Sequence, residues 1–198
     1  MRKKLWQLML LTAVISMSTS CLLFTVLDHV EKSTPTINGK KVDLKTQGSP
    51  KTHCLAFYYL DVAPKATFIQ TNPQKTAMYT QPFEIGLKCY SFPPLETDLT
   101  FQMVKMSYTR NFGNTISTYS FQPALGSGNN IIFTTKHTGL YFIGAYTFQT
   151  EGSAGAIQPL SDEKQAKYEL QALENLKPKF KNTEWEIEIE KRIQELKK

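Results

Sequence analysis

Residues 53–62, HCLAFYYLDV, are aliphatic or aromatic almost throughout, and Pro64 closes the run. A run of this length, rich in aromatics, reads as a β-strand. Apolar side chains on both of its faces mean that both faces need cover. A central strand of a packed sheet would supply that. So would a sheet with C-terminal helices or a partner on one side, or an open cleft lined by the many tyrosines.

Working outward, Phe83–Ser91 (FEIGLKCYS) alternates. Phe83, Ile85, Leu87 and Cys89 fall on one side, with Glu84 and Lys88 on the other, the mark of a half-buried strand. Leu99–Tyr108 (LTFQMVKMSY) alternates too, but its phase slips by one between Met103 and Val104, which predicts a β-bulge there. Ala66–Gln70, Ile116–Phe121, Asn130–Thr135 and Leu140–Phe148 are further candidate strands. The turn-rich Leu125-Gly126-Ser127-Gly128-Asn129 lies among them. Several short strands broken by Pro, Gly and Asn, with no helical period between them, predict a mainly β, antiparallel sandwich over residues 53–158.

After Gly152, Gly155 and Pro159 the period changes. Ser161 caps a predicted helix running to about Lys177, which Pro178 ends. A second helix begins near Thr183, where Thr183-x-x-Glu186 fits a capping box. Glu163–Lys167 and Glu188–Arg192 are spaced as i,i+4 pairs. Trp185, Ile189, Ile193 and Leu196 make a narrow apolar stripe that must be buried against something. Residues 159–198 thus read as a two-helix C-terminal tail, and the stripe is its candidate surface for a protein partner.

The segment Phe133-Thr134-Thr135-Lys136-His137-Thr138-Gly139-Leu140-Tyr141 resembles the corner of immunoglobulin-like and related sandwiches. In those folds a Gly-x-Tyr opens a late strand, and the tyrosine hydroxyl bonds back to the turn. The resemblance implies that Gly139 permits the tight entry and that Tyr141 anchors it. It covers about ten residues and implies a fold class, with no activity attached.

The N-terminus supplies the address. Leu5–Leu27 runs for 23 positions without a charge, directly behind Arg2, Lys3 and Lys4. A bilayer core about 30 Å thick needs roughly 20 apolar helical residues, so the segment is long enough to span, with positive charge left on the cytoplasmic side. A cleaved signal peptide, with Ser18-Thr19-Ser20 as its small-residue site, is a second reading. A third is a segment similar to a bacterial lipoprotein signal, in which Cys21 becomes the lipidated residue. Ser18 and the apolar Leu22-Leu23-Phe24 depart from that pattern. All three place the rest of the chain outside a membrane. Residues 1–29 are therefore read as signal or anchor, and 30–52, polar and lysine-rich, as a basic flexible tether. A tether of about 20 residues would reach roughly 60–70 Å when extended.

The chain has 198 residues and a net charge of +6. Four basic and two acidic groups precede position 34, six and two lie between 34 and 80, and the charges balance beyond that. The excess is topology signal plus tether, with no basic stripe interleaved with aromatics, so nucleic-acid binding is not expected. Setting Cys21 aside, Cys54 and Cys89 are either a disulfide or two buried thiols. A bridge would close a loop of about 35 residues, worth roughly 3 kcal/mol.

Catalytic and metal motifs are missing from the sequence: no Gly-x-Ser-x-Gly, phosphate loop, Cys-x-x-Cys or His-Glu-x-x-His occurs. His29, His53 and His137 sit in separate segments. His53 and Cys54, adjacent on a strand, would point to opposite faces. Met103 and Met106 read as core filling, and Glu96 and Asp98 as a solvated turn. No enzyme, cofactor or metal is expected. The expectation is a membrane-tethered structural or interaction protein facing the periplasm, an accessory subunit of a bacterial cell-envelope assembly. The alternative is a sandwich holding a lipid or glycan in a tyrosine-rich cleft.

Overall fold

The computed structural model describes residues 36–37, 40–44, 48–62, 65–72, 79–112, 115–121, 130–151 and 154–198. Leu5–Leu27, Cys21 and the Gly126–Gly128 turn lie outside them. Twelve strands are described: β1 (Thr36–Ile37), β2 (Lys40–Lys41), β3 (Cys54–Leu60), β4 (Lys65–Asn72), β5 (Tyr79–Gln81), β6 (Phe83–Gly86), β7 (Cys89–Ser91), β8 (Thr100–Phe112), β9 (Thr115–Phe121), β10 (Ile132–Thr134), β11 (Gly139–Glu151) and β12 (Ala154–Pro159). Helix α1 (Asp162–Leu176), a 3-10 turn (Lys177–Phe180) and helix α2 (Glu184–Leu196) follow.

The strands form two sheets. A five-stranded sheet runs β12-β11-β3-β7-β6, and a seven-stranded one runs β10-β8-β4-β5-β1-β2, with β9 also on β8. The mainly β, two-sheet expectation is met, but the sandwich is not antiparallel throughout. β3 and β11 run parallel, from Gly139↔Cys54 to Tyr146↔Leu60. These strands are far apart in sequence, so no hairpin forces them to be antiparallel.

Strand β3 is buried at every position. Its alternate side chains Cys54, Ala56, Tyr58 and Leu60 join Phe68, Phe92, Phe101, Met103, Met106 and Phe133 in a core between the sheets. Leu55, Phe57 and Tyr59 point the other way, into a second core closed by Leu173, Leu176, Phe180, Trp185 and Ile189. The described residues therefore form three layers: sheet, sheet, helices. What the sequence presented as a C-terminal tail is the third layer.

Slips of register and one tight turn shape the sheets. Thr67 pairs with Lys105 but Phe68 with Met103, leaving Val104 as the extra residue of a bulge at the expected place. The slip lets Phe101, Met103 and Met106 all reach the inter-sheet core. In β11, Phe142 pairs with Phe57 and Gly144 with Tyr58, which leaves Ile143 unpaired. Gly144 has φ +144, and a Cβ there would meet the Tyr146 hydroxyl at 3.0 Å and its ring at 3.1 Å. The expected single strand Phe83–Ser91 is instead a hairpin, because Lys88 adopts φ 63 and folds β7 back on β6.

Residues 36–37 and 40–41, expected within the flexible tether, pair as β1 and β2, and β1 also pairs with β5. The chain from Leu27 to Thr36 is then nine Cα–Cα steps, at most about 30 Å and not 60–70 Å. Further on, the Gly48 carbonyl accepts the Trp185 indole N–H at 3.3 Å, which ties this stretch to α2.

Candidate interaction surface

The stripe expected to dock a partner is internal. Trp185, Ile189 and Ile193 are buried, and the half-buried Leu196 packs against the same core. Together with α1 they close the core on the helix side of the five-stranded sheet, which includes β3, the run that needed cover on both faces. On the outer side of α2, Ile187 remains 69% exposed.

The helices are positioned by polar contacts that spacing alone did not indicate. Ala145 N–H donates to Gln165 Oε1 at 2.6 Å, and Gln165 Nε2 donates to the Ala145 and Leu160 carbonyls at 2.9 Å each. Gln165 thereby binds both backbone groups of Ala145, just beyond the last β11–β12 pair, Tyr146↔Pro159. Tyr168 stacks on Tyr59 with centroids 3.8 Å apart, and burial pushes the Tyr59 hydroxyl pKa up. The expected Glu188–Arg192 pair gives way to a bidentate link across the helices: Arg192 Nε to Glu169 Oε1 at 2.8 Å and Nη2 to Oε2 at 3.2 Å. At the α2 N-terminus, Glu186 accepts from the Asn182 N–H at 2.8 Å, one residue before the expected partner, while Thr183 Oγ1 donates to the Phe180 carbonyl.

Cys54 and Cys89 are free, buried thiols. They lie in different cores, on opposite faces of the five-stranded sheet. Cys89 pairs with Tyr59, five residues along β3 from Cys54, or about 16 Å at strand rise. A disulfide requires Cα atoms within about 7 Å, so the bridge expectation is corrected. Burial raises the Cys54 thiol to about 12 and the Cys89 thiol to about 11. Thiols held protonated in this way are poor nucleophiles.

Gly139 opens β11 with φ +91, and its N–H bonds to the His53 carbonyl at 2.9 Å. Tyr141 contributes ring packing, 5.6 Å from His137 and 6.3 Å from Phe133. The described tyrosine that bonds back to its own strand is Tyr146, whose hydroxyl reaches the Ile143 carbonyl at 3.1 Å. Tyr58 and Tyr90 stack inside the inter-sheet core at 5.2 Å, so the tyrosines with described side chains serve mainly as packing. Among the described residues, no three His, Cys, Asp or Glu side chains are grouped to hold a metal, and no helix is long and apolar enough to cross a membrane.

The two ends of the sandwich differ. At the end where β3 begins, the turns carry exposed Lys51, Glu96, Asp98 and Lys136. At the end where β3 finishes, the Leu60 N–H bonds to the Lys88 carbonyl, which brings the β6–β7 turn there, and Leu87 in that turn is 72% exposed. Asp61 closes the ladder at this end, its carboxylate accepting from the Thr147 hydroxyl and the Phe148 N–H. Sequence reading counted Leu87 as a core residue, because it continues the alternation of Phe83 and Ile85. Comparison with protein-family models, curated proteins and solved structures finds no match.

Proposed function

We propose that this protein is a membrane-tethered, extracytoplasmic structural or interaction module, an accessory subunit of a bacterial cell-envelope assembly. The observation that carries the reading is the uncharged stretch Leu5–Leu27 behind Arg2, Lys3 and Lys4. Its length fits a bilayer and its flank fits the cytoplasmic side. The likeness to immunoglobulin-like modules rests on the Gly139–Tyr141 strand entry and belongs to this proposal too.

Partner capture by the C-terminal helices would have to use their outer side, where Ile187 is exposed, since the Trp185 stripe is internal. Removing the helices is thus a poor test, because it would uncover Leu55, Phe57 and Tyr59. The better test is fractionation of cells followed by alkaline extraction and protease treatment of spheroplasts. The full chain should stay with the membrane, and residues beyond 28 should be cut only from outside. Recovery as a soluble cytoplasmic protein would overturn the reading. For the partner, crosslinking in intact cells should capture a protein with the wild type and lose it with Ile187→Asp.

A further inference from the structure

Chain direction brings four features to one end of the sandwich. Strand β11 runs parallel to β3 and continues past their last pair, Tyr146↔Leu60, so residues 147–151 pair only with β12. Residues 61–64 link the finish of β3 to Lys65, which opens β4 opposite Ser107. Strand β8 continues past Ser107 at that same end, and residues 108–112 pair only with β9. Two two-stranded ribbons thus run past the last β3 and β4 pairs at one end, β8–β9 for five residues and β11–β12 for the stretch beyond Phe148, which Asp61 and the inter-sheet core still hold. The exposed Leu87 lies at this end as well.

The fourth feature is the chain's own entry. β1 is antiparallel to β5, which is antiparallel to β4, so β1 runs in the direction of β4, away from the ribbon end. Thr36 therefore enters the fold from that end. The composition fits an interfacial setting. The β8–β9 ribbon brings Tyr108 opposite Tyr119 in register and ends at Phe112, with Arg110 its one charge. The opposite end carries the turns with exposed Lys51, Glu96, Asp98 and Lys136, while the half-buried Asp61 and Lys88 lie at the ribbon end. Aromatic residues with few charges favour the headgroup layer of a bilayer.

We propose that the ribbon end, with Leu87 beside it, rests on the lipid surface, so that the domain stands on the membrane with the turns of Lys51, Glu96, Asp98 and Lys136 pointing away. The inference rests on the anchor reading above. It is driven by length: nine Cα–Cα steps from Leu27 allow Thr36 at most about 30 Å from the bilayer, and the β8–β9 ribbon runs about 17 Å past the last β4 pair toward it. With lipid at Cys21, the leash from Cys21 to Thr36 grows to about 50 Å and still enters at that end.

The test is photocrosslinking of the full chain in phosphatidylethanolamine–phosphatidylglycerol vesicles that carry a phospholipid with a diazirine near its headgroup. Adducts are mapped by peptide mass spectrometry. Expected are adducts in Leu5–Leu27 and in peptides spanning 83–91, 108–121 and 147–158, at least about threefold above those spanning 94–99 and 134–138. Adducts in Leu5–Leu27 alone, or equal labelling of both ends, overturn the inference and leave the anchor standing. Absence from Leu5–Leu27 as well overturns the anchor. Leu87→Glu should lower labelling of the 83–91 peptide with the thermal melt unchanged; unchanged labelling counts against lipid contact. Ribbon-to-ribbon crosslinks at twice the chain mass, without lipid adducts, would assign the surface to a second copy.

Discussion

Gln165 holds Ala145 by both backbone groups, accepting its N–H at 2.6 Å and donating to its carbonyl at 2.9 Å. The carbonyl has a second donor in the Leu160 N–H. Gln165→Leu should therefore lower unfolding stability by about 1–3 kcal/mol, the cost of a buried donor left unmade. Gln165→Glu keeps an acceptor for that N–H but turns a carboxylate toward two carbonyls. Its destabilisation should shrink as pH falls and the side chain is protonated. Urea midpoints at neutral and acid pH check both.

Glycines 86 and 144 separate two kinds of constraint. A Cβ at Gly144 would meet the Tyr146 side chain and would also sit at φ +144, whereas at Gly86 its nearest neighbours would be atoms of the Asn175 side chain, from 2.3 Å. Both alanine variants should destabilise, by about 1–3 kcal/mol. In a double-mutant comparison, Asn175→Ala should restore most of the Gly86→Ala loss. Tyr146→Ala should restore only part of the Gly144→Ala loss, because the backbone strain remains.

The internal stripe makes a strong prediction. Ile189→Ala should cost about 2–4 kcal/mol, as a fully buried aliphatic truncation does. Ile187→Ala, three residues from a helix-start neighbour and largely exposed, should move stability by less than about 0.5 kcal/mol. Deletion after Pro178 should yield aggregation-prone protein, seen as loss of the soluble monomer on size exclusion. A soluble, folded sandwich from that deletion would contradict the three-layer account.

Much of this was legible beforehand, and the misses have physical causes. The Val104 bulge could be read because a phase slip is local. The two-faced run at 53–62 and the stripe at 185–196 were each correctly read as needing cover. That both belong to one core, closed by the two C-terminal helices, is a long-range fact that periodicity does not carry. The β6–β7 hairpin was hidden because Phe83, Ile85, Leu87 and Cys89 keep a period of two straight through a tight turn. β1, β2 and β12 are short or rich in Gly and Ala, so their pattern is weak. As for the candidate surface, the run from Leu5 to Leu27 was plain, whereas Leu87 and the shared end of the ribbons emerge only from strand direction.

Arg192 and Glu169 bind across the helices with side chains 41% and 14% exposed. Glu169→Gln should cost about 1 kcal/mol, while Glu174→Gln and Glu190→Gln, at the more exposed pairs with Lys197 and Lys177, should cost about 0.5 kcal/mol or less. The loss at Glu169 should also be the least sensitive to added salt.

Burial holds Cys54 near 12, Cys89 near 11 and Tyr146 near 12, each above its value in the unfolded chain. An acid with a raised folded pKa binds its proton more tightly in the native state. Stability is therefore complete below about pH 9 and falls between pH 9 and 12, by up to about 1.4 kcal/mol per pH unit for each such group. Denaturation midpoints from pH 7 to 11 should show this decline, and Cys54→Ala should flatten it. At pH 8, a thiol reagent should label neither Cys54 nor Cys89 until the protein is unfolded.

The parallel pairing of β3 with β11 sets an order of assembly. β3 is made early, yet one neighbour in its sheet begins at Gly139 and the helices that cover it begin at Asp162. While the chain is being synthesised or threaded through a membrane, Leu55, Phe57 and Tyr59 wait for partners that arrive about a hundred residues later. Non-local closure of this kind is slow, and an apolar strand left unpaired is prone to aggregate. The nascent chain should accordingly need a chaperone to hold residues 54–60 until its final helix has emerged.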